Sequence, residues 1–354
     1  MTSMALAKEE ATDVLSSLQS VCTRHGLETM SAKLAELASL VQWDMQEIAK
    51  ALAELPQRSG LVHRSARHLV DLGGKRLRPI CVALASKVGS GFDEKCRDLA
   101  VAVELVHCAT LLHDDVIDHG DRRRGSPTAR SLYGNAASIF AGDWLLIEAL
   151  KRVRATKVPD TLERLLDIID EMIAAESLQL EGRGRLELDP DRYFRVVEGK
   201  TAALFRWAMF AGGRGGGLDL EQCRALERFG AHLGIAFQLV DDLLDYAGDA
   251  EVTGKVPFAD LREGKATYPL IVAVERDPDL LGELSALVER PDEQPEARFT
   301  AVRDRIESTG ALTRCHALAL EHANQAQAAL SGLPPGPAVE ALGTVAETTV
   351  NREL

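Results

Sequence analysis

Apolar residues recur every three or four positions along most of this chain, and stretches that alternate apolar with polar residues are hard to find. The segments SAKLAELASLVQWDMQEIAKALAEL (residues 31–55), DTLERLLDIIDEMIAAESLQLEG (160–182) and LDLEQCRALERFGAHLGIAFQLVDDLLDY (218–246) all keep this spacing. A period near 3.6 gathers apolar side chains on one face of a helix, whereas a half-buried strand needs a period of two. The pattern predicts an all-α fold. Turn signals at Gly73-Gly74, Gly89–Asp93, Gly182–Asp191 and Leu333–Pro337 are short, and none reads as an interdomain linker. Asp189-Pro190-Asp191 reads as a helix N-cap, a proline at the first helical position and an acidic first turn. The run GGRGGG (212–217) lacks the Lys-Ser/Thr ending of a phosphate loop and follows no strand, so a flexible connection between helices is expected there. The expected organisation is a helical N-terminal extension of unassigned role over residues 1–55 and one helical catalytic domain over 56–354.

Composition narrows the function classes. Hydrophobic residues make up 46% and charged residues 27%, the balance of a globular protein with a substantial core. A net charge of −13 argues against nucleic-acid binding, which rests on an excess of basic groups. The six cysteines, Cys22, Cys81, Cys96, Cys108, Cys223 and Cys315, are scattered without a CxxC pair, so reduced thiols are expected. The first fifteen residues carry neither the basic flank nor the apolar core of a signal peptide, and no apolar run reaches membrane-spanning length. A cytoplasmic protein without stable membrane insertion is the expectation.

Charge is concentrated in LLHDDVIDHGDRRRG (111–125), where three aspartates end an apolar run and three arginines follow. Asp114 and Asp118 are four residues apart and share a helix face, as does His107 two turns earlier. Carboxylates placed at the end of a buried helix demand compensating cations. A second DDxxD, Asp241, Asp242 and Asp245, again closes an apolar stretch. Carboxylates without accompanying histidine or cysteine ligands suit Mg²⁺, which bridges carboxylates to phosphate oxygens, better than zinc. Basic groups that could meet phosphate are Lys75, Arg76 and Arg78 in GGKRLRP, Arg122 to Arg124, Lys200, Lys255 and Lys265.

With GGKRLRP, HDDVIDHGDRRRGSPT, EGKTAALF, FQLVDDLLDY and DLREGKATYPL in this order, the chain resembles the trans-isoprenyl (polyprenyl) diphosphate synthases. The resemblance runs from about Gly73 to Pro269. It implies an isoprenoid synthase type helical bundle around a deep central apolar cavity, with the two aspartate clusters facing each other across its mouth. It further implies that Asp114, Asp118 and Asp241 bind Mg²⁺, three ions with substrate present, with Asp115, Asp242 and Asp245 completing the clusters. Arg123, Lys200, Thr201, Gln238, Lys255 and Lys265 would surround an allylic diphosphate, and Lys75, Arg78, His107 and Arg124 would hold isopentenyl diphosphate. Asp114, Asp118, Asp241, Lys200 and Arg123 carry the catalytic expectation. A homodimer is the usual assembly in the family.

Product length is expected to follow cavity depth beneath the first cluster. Ala109 and Thr110, five and four residues before Asp114, are small, where short-chain members tend to carry bulky aromatics. The cluster also lacks the two-residue insertion common in bacterial farnesyl and plant-type geranylgeranyl synthases. Both features favour a medium- or long-chain product of the octaprenyl or hexaprenyl kind. Trp144 either packs the core or floors the cavity. The alternatives weighed are a short-chain geranylgeranyl or farnesyl synthase, a class I terpene cyclase and a non-catalytic partner subunit. A cyclase normally pairs one DDxxD with an NSE-type motif, and partner subunits usually have eroded clusters, whereas both clusters are intact here.

Overall fold

The computed structural model describes residues 28–56, 58–247, 258–289 and 296–351. Helices dominate them, as the periodicity predicts. The first are α1 (Glu28–Ala53), α2 (Leu61–Asp71), α3 (Leu77–Val88) and α4 (Glu94–Ile117). A hairpin of two-residue strands follows, β1 (Arg122–Arg123) pairing antiparallel with β2 (Ser126–Pro127). Next come α5 (Ala129–Tyr133), α6 (Asn135–Thr156), α7 (Thr161–Gly182) and α8 (Pro190–Val197). A π-helical turn (Glu198–Ala202) leads into α9 (Ala203–Gly215) and the long α10 (Leu220–Ala247). The remainder is α11 (Ala259–Arg262), α12 (Tyr268–Arg276), α13 (Leu280–Glu289), α14 (Glu296–Ser308), α15 (Ala311–Ala329) and α16 (Pro337–Val350).

Two compact units emerge from the contacts. The first takes the described residues within Met1–Leu166, Leu204–Arg228 and Ala329–Val345. Its spine is α4, where Leu99, Val101, Val103, Leu105 and Leu112 are fully buried because other helices cover the helix on several sides. Leu34, Leu37, Val41, Met45, Ile48 and Leu52 form the buried stripe of α1, which packs on α3 and α4. From residue 28 onward the expected N-terminal extension therefore shares a core with α3 and α4. Along α6, Ser138 donates to the Leu112 carbonyl (2.8 Å) and Arg152 donates to Asp98 (3.2 Å). These contacts make α4 and α6 antiparallel, and their register sets Ala141 level with Ala109 and Trp144 level with Val106.

The glycine run differs from its expectation. Gly212 to Gly215 lie inside α9. A Cβ at Gly212 would stand 2.5 Å from the Val82 carbonyl oxygen of α3, so the small residues serve close helix approach instead of a flexible connection.

The second unit takes the described residues within Asp167–Ala203, Phe229–Ala328 and Ala346–Leu354. Its core joins Tyr193 and Val197 of α8 to Leu239 and Leu243 of α10, with Leu270, Leu284, Phe299, Ile306 and Cys315 from α12 to α15. Asp189 accepts the Asp191 backbone N–H (3.0 Å) ahead of Pro190, the helix start that its sequence predicts. Among the described cysteines, Cys81, Cys96, Cys108, Cys223 and Cys315 are free and buried. No described helix is long and apolar enough to cross a membrane.

Candidate active site

The first aspartate cluster lies where α4 runs out. The C-terminal end of a helix presents partly negative carbonyls, so carboxylates there are disfavoured by the helix dipole as well as by each other. Asp115 is the buried member, 3% exposed. Arg123 answers it from the hairpin, donating to its Oδ1 from Nε (2.9 Å) and Nη2 (2.8 Å). The other carboxylate oxygen of Asp115 is buried and accepts no hydrogen bond from the described residues. Burial pushes the Asp115 carboxyl up from the ordinary carboxylate value, against the opposing pull of Arg123. Asp114 and Asp118 are half-buried on either side of it, and Asp118 caps the helix with its N–H on the Asp114 carbonyl (2.8 Å).

The hairpin turn places Arg124 and Gly125 in the left-handed region (φ 52° and 75°), the arrangement that two-residue hairpin turns require. The Arg124 guanidinium packs against Gly74, where an added Cβ would lie 2.5 Å from it. The GGKRLRP loop thus meets the arginine hairpin directly. Lys75 is exposed at the head of that loop. Arg78 lies with its Cζ 4.5 Å from the Phe205 ring centroid, and its buried Nε has no hydrogen-bond partner among the described residues. His107 is half-buried, and burial, then the charges of Arg78, Arg124 and Arg123, hold its imidazole well below the usual histidine value.

Further back along α4, Ala109 is buried. The Thr110 hydroxyl donates to the His107 carbonyl of its own helix (2.8 Å), leaving its methyl group as the feature available for packing. Trp144 is half-buried on α6 with its ring edge-on to His63 (centroids 4.8 Å apart). By register it stands about one helical turn deeper than Thr110, or roughly 6 Å at 1.5 Å per residue.

In the second cluster Asp245 is buried (5% exposed), as is Asp242, 2% exposed. Tyr193 donates to it from its hydroxyl (2.7 Å), Gln238 from Nε2 (2.8 Å) and Tyr268 from its backbone N–H (3.2 Å). Burial and then the charge of Asp260 push its carboxyl up to about 8. Asp245 accepts the backbone N–H groups of Ala259 (3.1 Å) and Asp260 (3.2 Å), capping the start of α11, which ends three residues before Lys265. Asp241 is half-buried. Thr201 on the π-helical turn donates to Gln238 Oε1 (2.8 Å), and so joins the Asp242 network. Lys200 on the same turn donates to Gln179 (2.8 Å) and pairs with Glu176. Lys265 pairs with Glu263. Lys255 lies outside the described residues.

The donor chemistry fits a hard divalent cation. Among the described residues no three His, Cys, Asp or Glu side chains converge as a closed metal cage. The carboxylates of each cluster are hard oxygen donors, the kind that suits an ion taking its other ligands from phosphate and water. Sequence reasoning missed Tyr193, which stands between Arg192 and Phe194 with nothing in its spacing to mark it.

The family model described as Polyprenyl synthetase matches residues 59–304. The octaprenyl diphosphate synthase of Escherichia coli (strain K12) is 35% identical over 324 residues, 90% of this chain and 99% of that protein. Heptaprenyl diphosphate synthase component 2 of Geobacillus stearothermophilus is 33% identical over 303 residues, 85% of this chain and 93% of its own. The solved polyprenyl synthase of Caulobacter crescentus CB15, complexed with calcium and isoprenyl diphosphate, superposes with a TM-score of 0.84 at 36% identity. That match covers 90% of this chain and 97% of the other.

The depressed His107 makes a pH prediction. Its folded value lies below the ordinary 6.5, so the unfolded chain binds the proton first on acidification. Its contribution to stability is complete above about pH 6.5 and is lost as pH falls below it. Between pH 7.5 and 5.5 the wild-type protein should lose more stability than His107→Gln. Denaturant midpoints at the two pH values measure this, and equal losses in the two proteins would contradict it.

Proposed function

The chain belongs to the polyprenyl synthetase family and is a prenyltransferase. From that premise we propose that it joins isopentenyl diphosphate head to tail (1′-4) to an allylic diphosphate and repeats the step to a medium- or long-chain trans-polyprenyl diphosphate. The observation that carries this reading is the shared construction of the two clusters. Each spends a buried aspartate on the protein itself, Asp115 on Arg123 and Asp242 on Tyr193 and Gln238, and keeps at least one half-buried carboxylate beside it. Asp114, Asp118 and Asp241 are then the Mg²⁺ ligands, with Asp115, Asp242 and Asp245 behind them, and three ions accompany the substrates. The metal supplies charge stabilisation to the departing diphosphate.

The protein's own groups do the rest. Arg123, Lys200, Thr201, Gln238, Lys255 and Lys265 bind and orient the allylic diphosphate as charge builds on its leaving oxygen. Arg123 is held for this by Asp115, and Lys265 follows α11, whose first turn is held by Asp245. Lys75, Arg78, His107 and Arg124 hold isopentenyl diphosphate. Kept neutral, His107 donates one N–H to a phosphate oxygen without adding charge. The proton lost on condensation goes to the released diphosphate, so no dedicated protein base is needed. Apolar walls exclude the water that would quench the allylic cation.

Ala109 and Thr110 leave room for a growing chain, and Trp144 marks the next turn down. A row of exposed apolar residues, Leu132 of α5 with Ile139, Phe140 and Ile147 of α6, supports a homodimer through this face. A cytoplasmic location completes the reading.

Two outcomes test it. Asp114→Ala and Asp241→Ala should each lower condensation of farnesyl and labelled isopentenyl diphosphates by about 10²–10³-fold or more, with an unchanged circular dichroism spectrum. Full activity in either variant contradicts the assignment. Ala109→Phe should shorten the labelled product, read by chromatographic sizing, whereas an unchanged ladder would place the length limit elsewhere.

A further inference from the structure

Tyr193 of α8 is buried in the core of the second unit, and its hydroxyl donates to Asp242 Oδ2 (2.7 Å). The ring is fixed on two sides, edge-on to Phe194 (centroids 5.2 Å apart) and tilted against Tyr268 (5.8 Å). From Asp242 the hydrogen bonds continue. Its other oxygen, Oδ1, accepts from Gln238 Nε2 (2.8 Å), one turn earlier on α10. Gln238 Oε1 in turn accepts from the Thr201 hydroxyl (2.8 Å) on the π-helical turn. An amide side chain could face either way, and here it is held from both ends. Its oxygen is turned to Thr201, and one of its two Nε2 hydrogens is spent on Asp242. Without the tyrosine hydroxyl, Asp242 Oδ2 would keep the Tyr268 backbone N–H at 3.2 Å, the longer of these two contacts.

Resting on the function proposed above, we propose that Tyr193 is a positioning residue for the allylic diphosphate, acting through Asp242 on Gln238 and Thr201 without touching the substrate. Its hydroxyl fixes Asp242, and Asp242 fixes the amide plane of Gln238. The second Nε2 hydrogen of Gln238 is thereby aimed in advance at a phosphate oxygen. Setting the amide beforehand spares the incoming substrate the cost of ordering it. A buried acid that loses its short donor turns towards the donors that remain, and in a linked network Gln238 and Thr201 turn with it. The effect belongs to one substrate. Tyr193, Asp242, Gln238 and Thr201 all lie in the second unit, whereas Lys75, Arg78, His107 and Arg124, assigned to isopentenyl diphosphate, lie in the first.

The test is steady-state kinetics of the full-length enzyme with Mg²⁺, varying farnesyl and isopentenyl diphosphates in turn, with calorimetric binding of a non-reactive farnesyl thiodiphosphate beside it. Tyr193→Phe keeps the ring and its packing and removes only the hydroxyl. It should raise KM for farnesyl diphosphate about fivefold and weaken the thiodiphosphate by a similar factor, the scale of one hydrogen bond. KM for isopentenyl diphosphate should stay within about twofold. In a Gln238→Ala background the same substitution should change either KM by no more than about twofold, because the link to the substrate is already cut. A tyrosine that serves only the core would lower the denaturant midpoint and leave both KM values unmoved. Equal rises in the two KM values, no rise in either, or the full fivefold effect in Gln238→Ala each overturn the proposal. If Tyr193→Phe fails to fold, Tyr193→His, whose ring nitrogen stops short of Asp242, decides it by the same asymmetry. Absence of condensation by the wild-type enzyme would overturn the proposed function itself, whereas an active wild type without the asymmetry overturns only the role of Tyr193.

Discussion

The ion pair between Asp115 and Arg123 is the contact on which the rest of the first site depends. A carboxylate buried at the C-terminal end of a helix faces three penalties: lost hydration, the negative end of the helix dipole and two neighbouring aspartates. Arg123 counters all three with two donor atoms on one carboxylate oxygen. Holding Arg123 in turn fixes the hairpin, and the hairpin turn is what carries Arg124 to Gly74 and the GGKRLRP loop. One buried acid thereby ties the arginine hairpin to the GGKRLRP loop, while Asp114 and Asp118 stay half-buried at the end of the helix.

The second site reaches the same division by different contacts. Asp242 is satisfied by three neutral donors, and burial together with Asp260 favours its protonated form. Asp245 accepts two backbone N–H groups where the lysine-bearing loop begins. The first cluster anchors a cationic loop through an ion pair and the second through main-chain hydrogen bonds, leaving two half-buried carboxylates in one and a single one in the other. Identical DDxxD spacing therefore conceals unequal roles.

Much of this was legible in the residues. The helical period marks α1, α7 and α10, and the spacing of Asp114 from Asp118 reads directly as a shared face. Burial of Asp115 beside two half-buried neighbours is less legible, since adjacent residues on a helix point about 100° apart and the sequence alone does not say which side faces the core. The partners of Asp242 come from α8 and the start of α12, some fifty and twenty-six residues away, and long-range pairing of that kind leaves no trace in local spacing. GGRGGG misled for the opposite reason: glycine marks close approach of a backbone as readily as it marks a turn.

On the proposed function, the half-buried aspartates engage an allylic diphosphate only through a divalent cation. Calorimetric titration of the wild-type protein with a non-reactive farnesyl thiodiphosphate, in Mg²⁺ and again in excess chelator, measures this. Saturable binding is expected with Mg²⁺, with a loss of at least about a hundredfold in affinity without it, equivalent to roughly 2.7 kcal/mol. Equal affinity in the two conditions would contradict it.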